Sequence, residues 1–169
     1  NIITGRGMNS SGAVQVRTAS SAGESGGVNI QSGETVGGTS GSVALLSGES
    51  GGGIVISTGH SASSSTPSGD IHIVGGSSAT DTGGSAKLFS GESENLSSGS
   101  VHIHTARASR ASAVSGNALI KSGNTETGSS GTVELASGTA VANHAGTMSV
   151  APGISIDSPG ATVYVSGGS

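Results

Sequence analysis

Short runs of alternating apolar and polar residues recur along the whole chain, and each run follows a glycine. With that glycine as position 0, positions +2 and +4 are apolar in ten runs, whereas position +3 is mostly polar. The runs begin at Gly12, Gly26, Gly41, Gly52, Gly69, Gly84, Gly99, Gly116, Gly131 and Gly146. Strict alternation over a short run is typical of a β-strand with one buried face. No apolar residue recurs at the three-to-four spacing of a helix, so the pattern does not favour helix.

Two apolar rows follow from this register. Position +2 holds Val14, Val28, Val43, Ile54, Ile71, Ala86, Val101, Ala118, Val133 and Met148. Position +4 holds Val16, Ile30, Leu45, Ile56, Ile73, Leu88, Ile103, Ile120, Leu135 and Val150. We expect both rows to face the interior.

The spacing of the runs predicts a repeat architecture. Counted along the sequence, the intervals between successive starts are 14, 15, 11, 17, 15, 15, 17, 15 and 15. Serine-, glycine- and threonine-rich connections join the runs, and such residues form tight corners through positive φ and through hydroxyl bonds to the backbone. The predicted fold is an all-β β-solenoid of about ten stacked strands. Either a coil of ~15 residues carries one strand, or a coil of ~30 residues carries two facing strands, which we favour because a thin core needs an apolar partner.

The ends predict continuation of the array. Residues 1–5 resemble the second half of a repeat, and Ile154, Ile156, Val163 and Val165 alternate in the last stretch. Neither end carries a polar capping segment, which a free solenoid end needs. We therefore expect residues 1–169 to form a single array that belongs to a longer chain or stacks head to tail into a filament.

Composition narrows the function classes. The chain has 32 glycines, 36 serines, 16 charged residues with a net charge of −4, one Tyr, one Phe, and neither Trp nor Cys. This composition excludes disulfide scaffolds and thiolate sites, and six scattered basic residues form no phosphate-binding stripe. No apolar run is long enough to span a bilayer. We expect no enzyme activity, no cofactor, no nucleic-acid partner and no membrane insertion.

Metal binding is a weak alternative. His72 and His102 occupy the same repeat position thirty residues apart, and His104 shares an outer face with His102. Three imidazoles on one face could bind a transition metal, although solvated outward positions explain them equally simply. A Ser-Gly-Glu sequence also recurs at Glu34, Glu49 and Glu92, where a solubilising edge is a simpler interpretation than a calcium site.

Sequence motifs support glycosylation better than they support metal binding. Asn9-Ser10-Ser11 and Asn95-Leu96-Ser97 match the N-x-Ser/Thr acceptor, and both fall in connections. Asn9 and Asn95 are therefore the predicted modification sites. The hydroxyl cluster of residues 61–66 is a candidate for O-linked sugars.

The repeats of the form G-x-V-x-I-x-S-G resemble the Gly/Ser-rich β-solenoid repeats of secreted adhesins and extracellular fibre proteins, including long repeat chains of diatoms and related algae. The resemblance covers nearly the whole chain and implies a secreted, extracellular-matrix or cell-surface protein. The expected function is a structural subunit of a fibre that self-assembles end to end and is glycosylated.

Two other functions remain open, an adhesin stalk or carbohydrate-binding solenoid and an ice-binding protein. The first lacks aromatic ladders, since only Phe89 and Tyr164 are present, and the second lacks a regular outward threonine array.

Four apolar residues lie at outward positions of the predicted strands, where polar residues are expected. We expect some of them to lie under a connection or at a contact between protofilaments. They are Leu46, Val74, Phe89 and Leu119.

Overall fold

The structure is a computed structural model that describes residues 2–5, 8, 10–62, 65–110 and 112–168. These residues belong to two units, Asn1–Ala86 and Lys87–Ser169. The glycine-led repeats occur in both units.

Across the described residues the chain forms neither an α-helix nor a β-strand. The predicted β-solenoid is therefore wrong, in both its one-strand and its two-strand form. Backbone hydrogen bonds between described residues number four, and none joins the middle of one repeat to the middle of another.

The balance of free energies explains why the single chain forms no solenoid. Each repeat of about fifteen residues supplies only two inner aliphatic side chains to bury. Ordering its backbone costs conformational entropy at every residue. The serine and glycine that make up the rest of the repeat add little apolar surface to offset this cost.

Exposure nevertheless follows the repeat positions. The Val, Ile and Met side chains at position +2 are 46–60% exposed, and the Val, Ile and Leu side chains at position +4 are 65–79% exposed. Val55 at position +3 is 89% exposed, beside Ile54 at 46%, whereas Leu119 at position +3, at 76%, is no more exposed than the +4 row. Position +2 is thus the most shielded, but no described residue is buried, so the expectation that both rows face the interior is wrong.

The connections, rather than the apolar runs, carry the recurring local structure. We call the residues from position +6 of one repeat to position 0 of the next a corner. In the repeats of the common length a bend recurs at positions +10 to +12. It is found at residues 36–38, 79–81, 94–96, 126–128, 141–143 and 156–158.

Each corner brings position 0 of a repeat against position +6 of the repeat before it. A methyl carbon placed on Gly12 would lie 3.4 Å from Cβ of Thr4, and one on Gly131 would lie 3.7 Å from Cβ of Ser122. The same approach joins Gly26 to Thr18, Gly41 to Ser32, Gly69 to Thr58, Gly116 to Thr105 and Gly146 to Ser137. At these positions an added methyl would make an ordinary van der Waals contact, whereas at Gly52 and Gly84 it would lie 3.0 Å from a backbone atom of the preceding repeat. Only those two corners therefore need the close approach that glycine allows at position 0.

Three corners are also closed by a backbone hydrogen bond from position 0 to position +7 of the preceding repeat. The Gly84 amide donates to the Gly76 carbonyl at 2.8 Å, and the Gly99 amide donates to that of Gly91 at 2.9 Å. At the end of the chain the Ala161 amide donates to the Gly153 carbonyl at 3.4 Å. Ala161 thus stands at position 0 of an eleventh repeat, whose position +2 is Val163.

Positive φ is confined to a few corner residues, which corrects the expectation that glycines at corners generally need it. The described residues with positive φ are Ser50 at 65°, Gly51 at 93° and Ser112 at 64°. Ser50 and Gly51 lie in the corner of the shortest interval, between Gly41 and Gly52. The shortest connection therefore requires left-handed backbone, whereas most longer corners close without it.

Candidate functional site

Asn95 lies at the centre of one of the closed corners. The bend covers residues 94–96, and the Gly99-to-Gly91 bond closes the loop around it. Inside the loop the Leu96 amide donates to Oγ of Ser93 at 3.0 Å. Asn95 and the sequon serine, Ser97, are both exposed. The structure therefore presents this acceptor on a defined loop, whereas Asn9 lies outside the described residues.

The Ser93 hydroxyl belongs to a recurring pattern at position +9. The Ser78 Oγ accepts the Asp81 amide at 3.0 Å, and the Thr125 Oγ1 accepts the Gly128 amide at 3.2 Å. Each bond spans three residues and holds the bend at positions +10 to +12. The sequence predicts hydroxyl bonds at the corners in general but not at this position. The available signal was the recurrence of Ser or Thr at position +9 in five repeats of the common length, at Thr35, Ser78, Ser93, Thr125 and Ser155.

Two residues of the hydroxyl cluster, Ser61 and Thr66, bond to each other, whereas Ser63 and Ser64 lie outside the described residues. Oγ of Ser61 donates to the Thr66 carbonyl at 2.7 Å and lies 3.1 Å from Oγ1 of Thr66. Ser61 is only half-exposed, whereas Thr66 is exposed. Of these two candidates for an O-linked sugar, Thr66 is the more accessible.

The three histidines are divided between the two units, with His72 in the first and the other two in the second. The Nε2 of His72 lies 3.9 Å from the Asp70 carboxylate, and both side chains are solvated. The Nδ1 of His104 lies 3.3 Å from the carbonyl of its neighbour Thr105. Within the described ranges no three His, Asp or Glu side chains come close enough to hold a metal ion. The structure therefore adds no support for the weak metal candidate at His72, His102 and His104.

Other charged and polar groups are exposed as well. Glu34, Glu49 and Glu92 all stand at position +8 of their repeats and face solvent.

An open depression of about 630 Å³ follows the first run and is lined by Arg17, Thr18, Ala19, Ser20 and Ser25. With one cation, three hydroxyl groups and no enclosing wall, it offers no defined ligand geometry.

The four outward apolar residues, Leu46, Val74, Phe89 and Leu119, are all exposed. None of them lies under a corner of the same chain. A contact between protofilaments, the other alternative, stays a prediction for some of the four. Phe89 and Tyr164 supply the two aromatic rings, and both rings are exposed.

Comparison with known proteins gives no relative: no family model, curated protein or solved structure matches the chain. Among the described residues there is also no helix long and apolar enough to cross a membrane. The dominant feature of the described residues is a set of regularly spaced apolar side chains in contact with water.

Proposed function

We propose that this protein is a structural subunit of an extracellular or cell-surface fibre, which forms by self-assembly of many copies and is glycosylated in its corners. The supporting observation is the exposure of both apolar rows at fixed repeat positions. Single exposed apolar residues are ordinary on protein surfaces, but extensive contiguous apolar surface marks an interaction site.

The accessible area supports association on a large scale. The chain exposes 17,084 Å², whereas a compact protein of its mass would expose about 7,000 Å². A stable interface between two proteins buries about 1,200–2,000 Å². The surplus of roughly 10,000 Å² is therefore enough for a copy to be covered by neighbours on more than one side.

Unpaired backbone adds a second driving force. Apart from the corner bonds, the described repeats make no backbone hydrogen bonds within the chain. Alternating segments with free N–H and C=O groups can pair with segments of another chain, as exposed sheet edges do. Strand pairing would then satisfy the backbone, and packing of a second sheet on the paired runs would cover the apolar rows.

Glycosylation of Asn95 is compatible with assembly, because this residue lies at an exposed bend and away from the apolar positions of its repeat. A sugar on the corner would lie at the rim of an assembly and keep its surface hydrated. The charged fraction of the chain is only 9%, which leaves little other means of solubilising a fibre.

Imaging and diffraction of the native material test this proposal. Electron cryomicroscopy should show filaments, and aligned filaments should diffract at ~4.8 Å along the axis. Extra density at Asn95 would identify the glycan. Discrete particles without that repeat, at concentrations well above those in the source, would refute the structural role.

A matched pair of substitutions tests whether the apolar rows drive association. Val133→Ser changes an inner residue at position +2, and Val55→Ser makes the same change at an outward position. Loss of one buried valine costs roughly 1.5–3 kcal/mol, so Val133→Ser should raise the critical concentration at least about tenfold. Val55→Ser should change it far less, and an equal effect of both would show that the repeat register does not direct assembly.

A further inference from the structure

We propose that the corner between the runs at Gly99 and Gly116 is a proteolytic processing site, where an endoprotease with an acidic pocket for basic side chains cleaves after Arg107. The reaction is a hydrolysis. The bond between the Arg107 carbonyl carbon and the Ala108 nitrogen breaks, and water supplies a hydroxyl group to the carbon and a proton to the nitrogen. This inference concerns the single chain and does not depend on the proposed assembly.

Basic side chains are rare in this chain, and two of its six Lys and Arg residues share this one corner. Arg107 and Arg110 stand at positions +8 and +11 of their repeat, and both are exposed. Exposed loops of small and polar residues are the preferred sites of proteolytic nicking. The other described basic residues lie within the apolar runs, at position +3 or +5. They are Arg17, Lys87 and Lys121.

The charge around this corner favours the same class of enzyme. No Asp or Glu occurs between Glu94 and Glu126, whereas Arg107, Arg110 and Lys121 give this stretch a net charge of +3 in a chain of net charge −4. Among the described residues neither arginine of the corner forms an ion pair with a carboxylate. A positive segment attracts a protease whose specificity pocket is acidic.

Two identical tripeptides in the corner separate the effect of conformation from that of sequence. Arg-Ala-Ser occurs at residues 107–109 and again at residues 110–112. Residues 101–109 form no turn or bend, and the Arg107 carbonyl accepts no hydrogen bond from a described residue. By contrast, the Arg110 carbonyl accepts the Ala113 amide at 3.1 Å, and Ser112 inside that turn has a φ of 64°.

This difference decides which of the two bonds is cleaved. A serine-type protease draws the carbonyl of the scissile bond into an oxyanion hole of N–H groups. The Arg107 carbonyl is free to enter such a site. The Arg110 carbonyl would first have to give up its bond from the Ala113 amide, and the turn would have to open. The geometry therefore favours cleavage after Arg107 over cleavage after Arg110.

Cleavage at this place would divide the array without destroying a repeat. The runs that begin at Gly99 and Gly116 lie on opposite sides of the cleaved bond and stay intact. The chain has no Cys, so no disulfide within it would hold the two parts together. Processing would therefore release a part that ends at Arg107 and a part that begins at Ala108.

Limited digestion of the full chain with trypsin tests the site, because trypsin accepts a basic side chain in an acidic pocket. The chain is kept below the concentration at which it assembles, and mass spectrometry of early time points measures the cleavage rate at each bond. Cleavage after Arg107 should be roughly fivefold faster than after Arg110, where one hydrogen bond must break first. Equal rates at the two Arg-Ala bonds, or a faster rate after Arg110, would overturn the assignment of Arg107.

A matched pair of substitutions at Ser112 tests the conformational reason. Ser112→Val disfavours the left-handed backbone at this residue and should open the turn, so that cleavage after Arg110 quickens roughly fivefold. Ser112→Gly tolerates this backbone and should leave Arg110 as slowly cleaved as in the wild type. Both variants should keep the wild-type rate after Arg107. An equal rate after Arg110 in the two variants would overturn the protective role of the turn.

Peptides from the native material test whether the site is used. Digestion with a glutamate-specific protease yields residues 95–126 as one peptide if the corner is intact, and residues 95–107 and 108–126 if it has been processed. We expect the two shorter peptides. The longer peptide alone would overturn processing, even if trypsin cleaved first after Arg107. Neither experiment requires filaments, so failure of the fibre role would leave this inference standing.

Discussion

At the scale of single residues, close approach explains glycine at only a few corner positions, namely Gly52, Gly75 and Gly84. A methyl carbon on Gly75 would overlap the Gly84 carbonyl oxygen, whereas one on Gly76 would meet no atom within 4 Å. Two adjacent glycines in one corner therefore differ in what they tolerate. The difference arises because only Gly75 faces the other end of its corner.

This difference gives a prediction for Gly75→Ala, with Gly76→Ala as its matched control. The added methyl of Gly75→Ala should force the corner open and break the bond from the Gly84 amide to the Gly76 carbonyl. A typical hydrogen bond contributes about 1 kcal/mol, so exchange of the Gly84 amide should quicken roughly fivefold. NMR on the unassembled chain measures the hydrogen-exchange rate of this amide in both variants. Comparable exchange in both variants would contradict the corner geometry.

At the scale of elements, the corner is the unit with reproducible local structure, and a hydroxyl at position +9 organises it. Ser93 accepts the Leu96 amide beside the Asn95 sequon. Ser93→Ala should free that amide and increase its exchange roughly fivefold, because one hydrogen bond is lost. Ser93→Thr keeps the hydroxyl and should restore protection. If the threonine variant exchanged as fast as the alanine variant, the hydroxyl would not be the cause.

The sequence predicted the positions of the corners, but it did not predict what the apolar rows pack against. The glycine register correctly located the corners, and the alternation correctly ranked Ile54 below Val55 in exposure. The alternation of apolar and polar residues could not show what an apolar row packs against. A row that packs against another chain has the same sequence pattern as a row that packs against its own chain. The assumption of an intrachain partner led to the incorrect solenoid. Asn95 was identifiable from its motif alone, whereas the closed loop that presents it depends on backbone contacts.

At the scale of the whole molecule, the net charge of −4 predicts a salt dependence of the proposed assembly. Copies of like net charge repel each other weakly in water, and this repulsion is screened within ~8 Å at 0.15 M salt, compared with ~30 Å at 0.01 M. The critical concentration should therefore fall as sodium chloride rises over this range. A rise would indicate that opposite charges pair between copies.

The central claim at this scale is that the chain has no β-sheet by itself and acquires one only from other copies. Far-ultraviolet circular dichroism across the assembly transition tests it most directly, with the assembled fraction measured by sedimentation in the same samples. We expect a coil spectrum for the unassembled chain and a β-sheet spectrum that grows in proportion to the sedimented fraction. A β-sheet spectrum in the unassembled chain, or sedimented material without one, would contradict it.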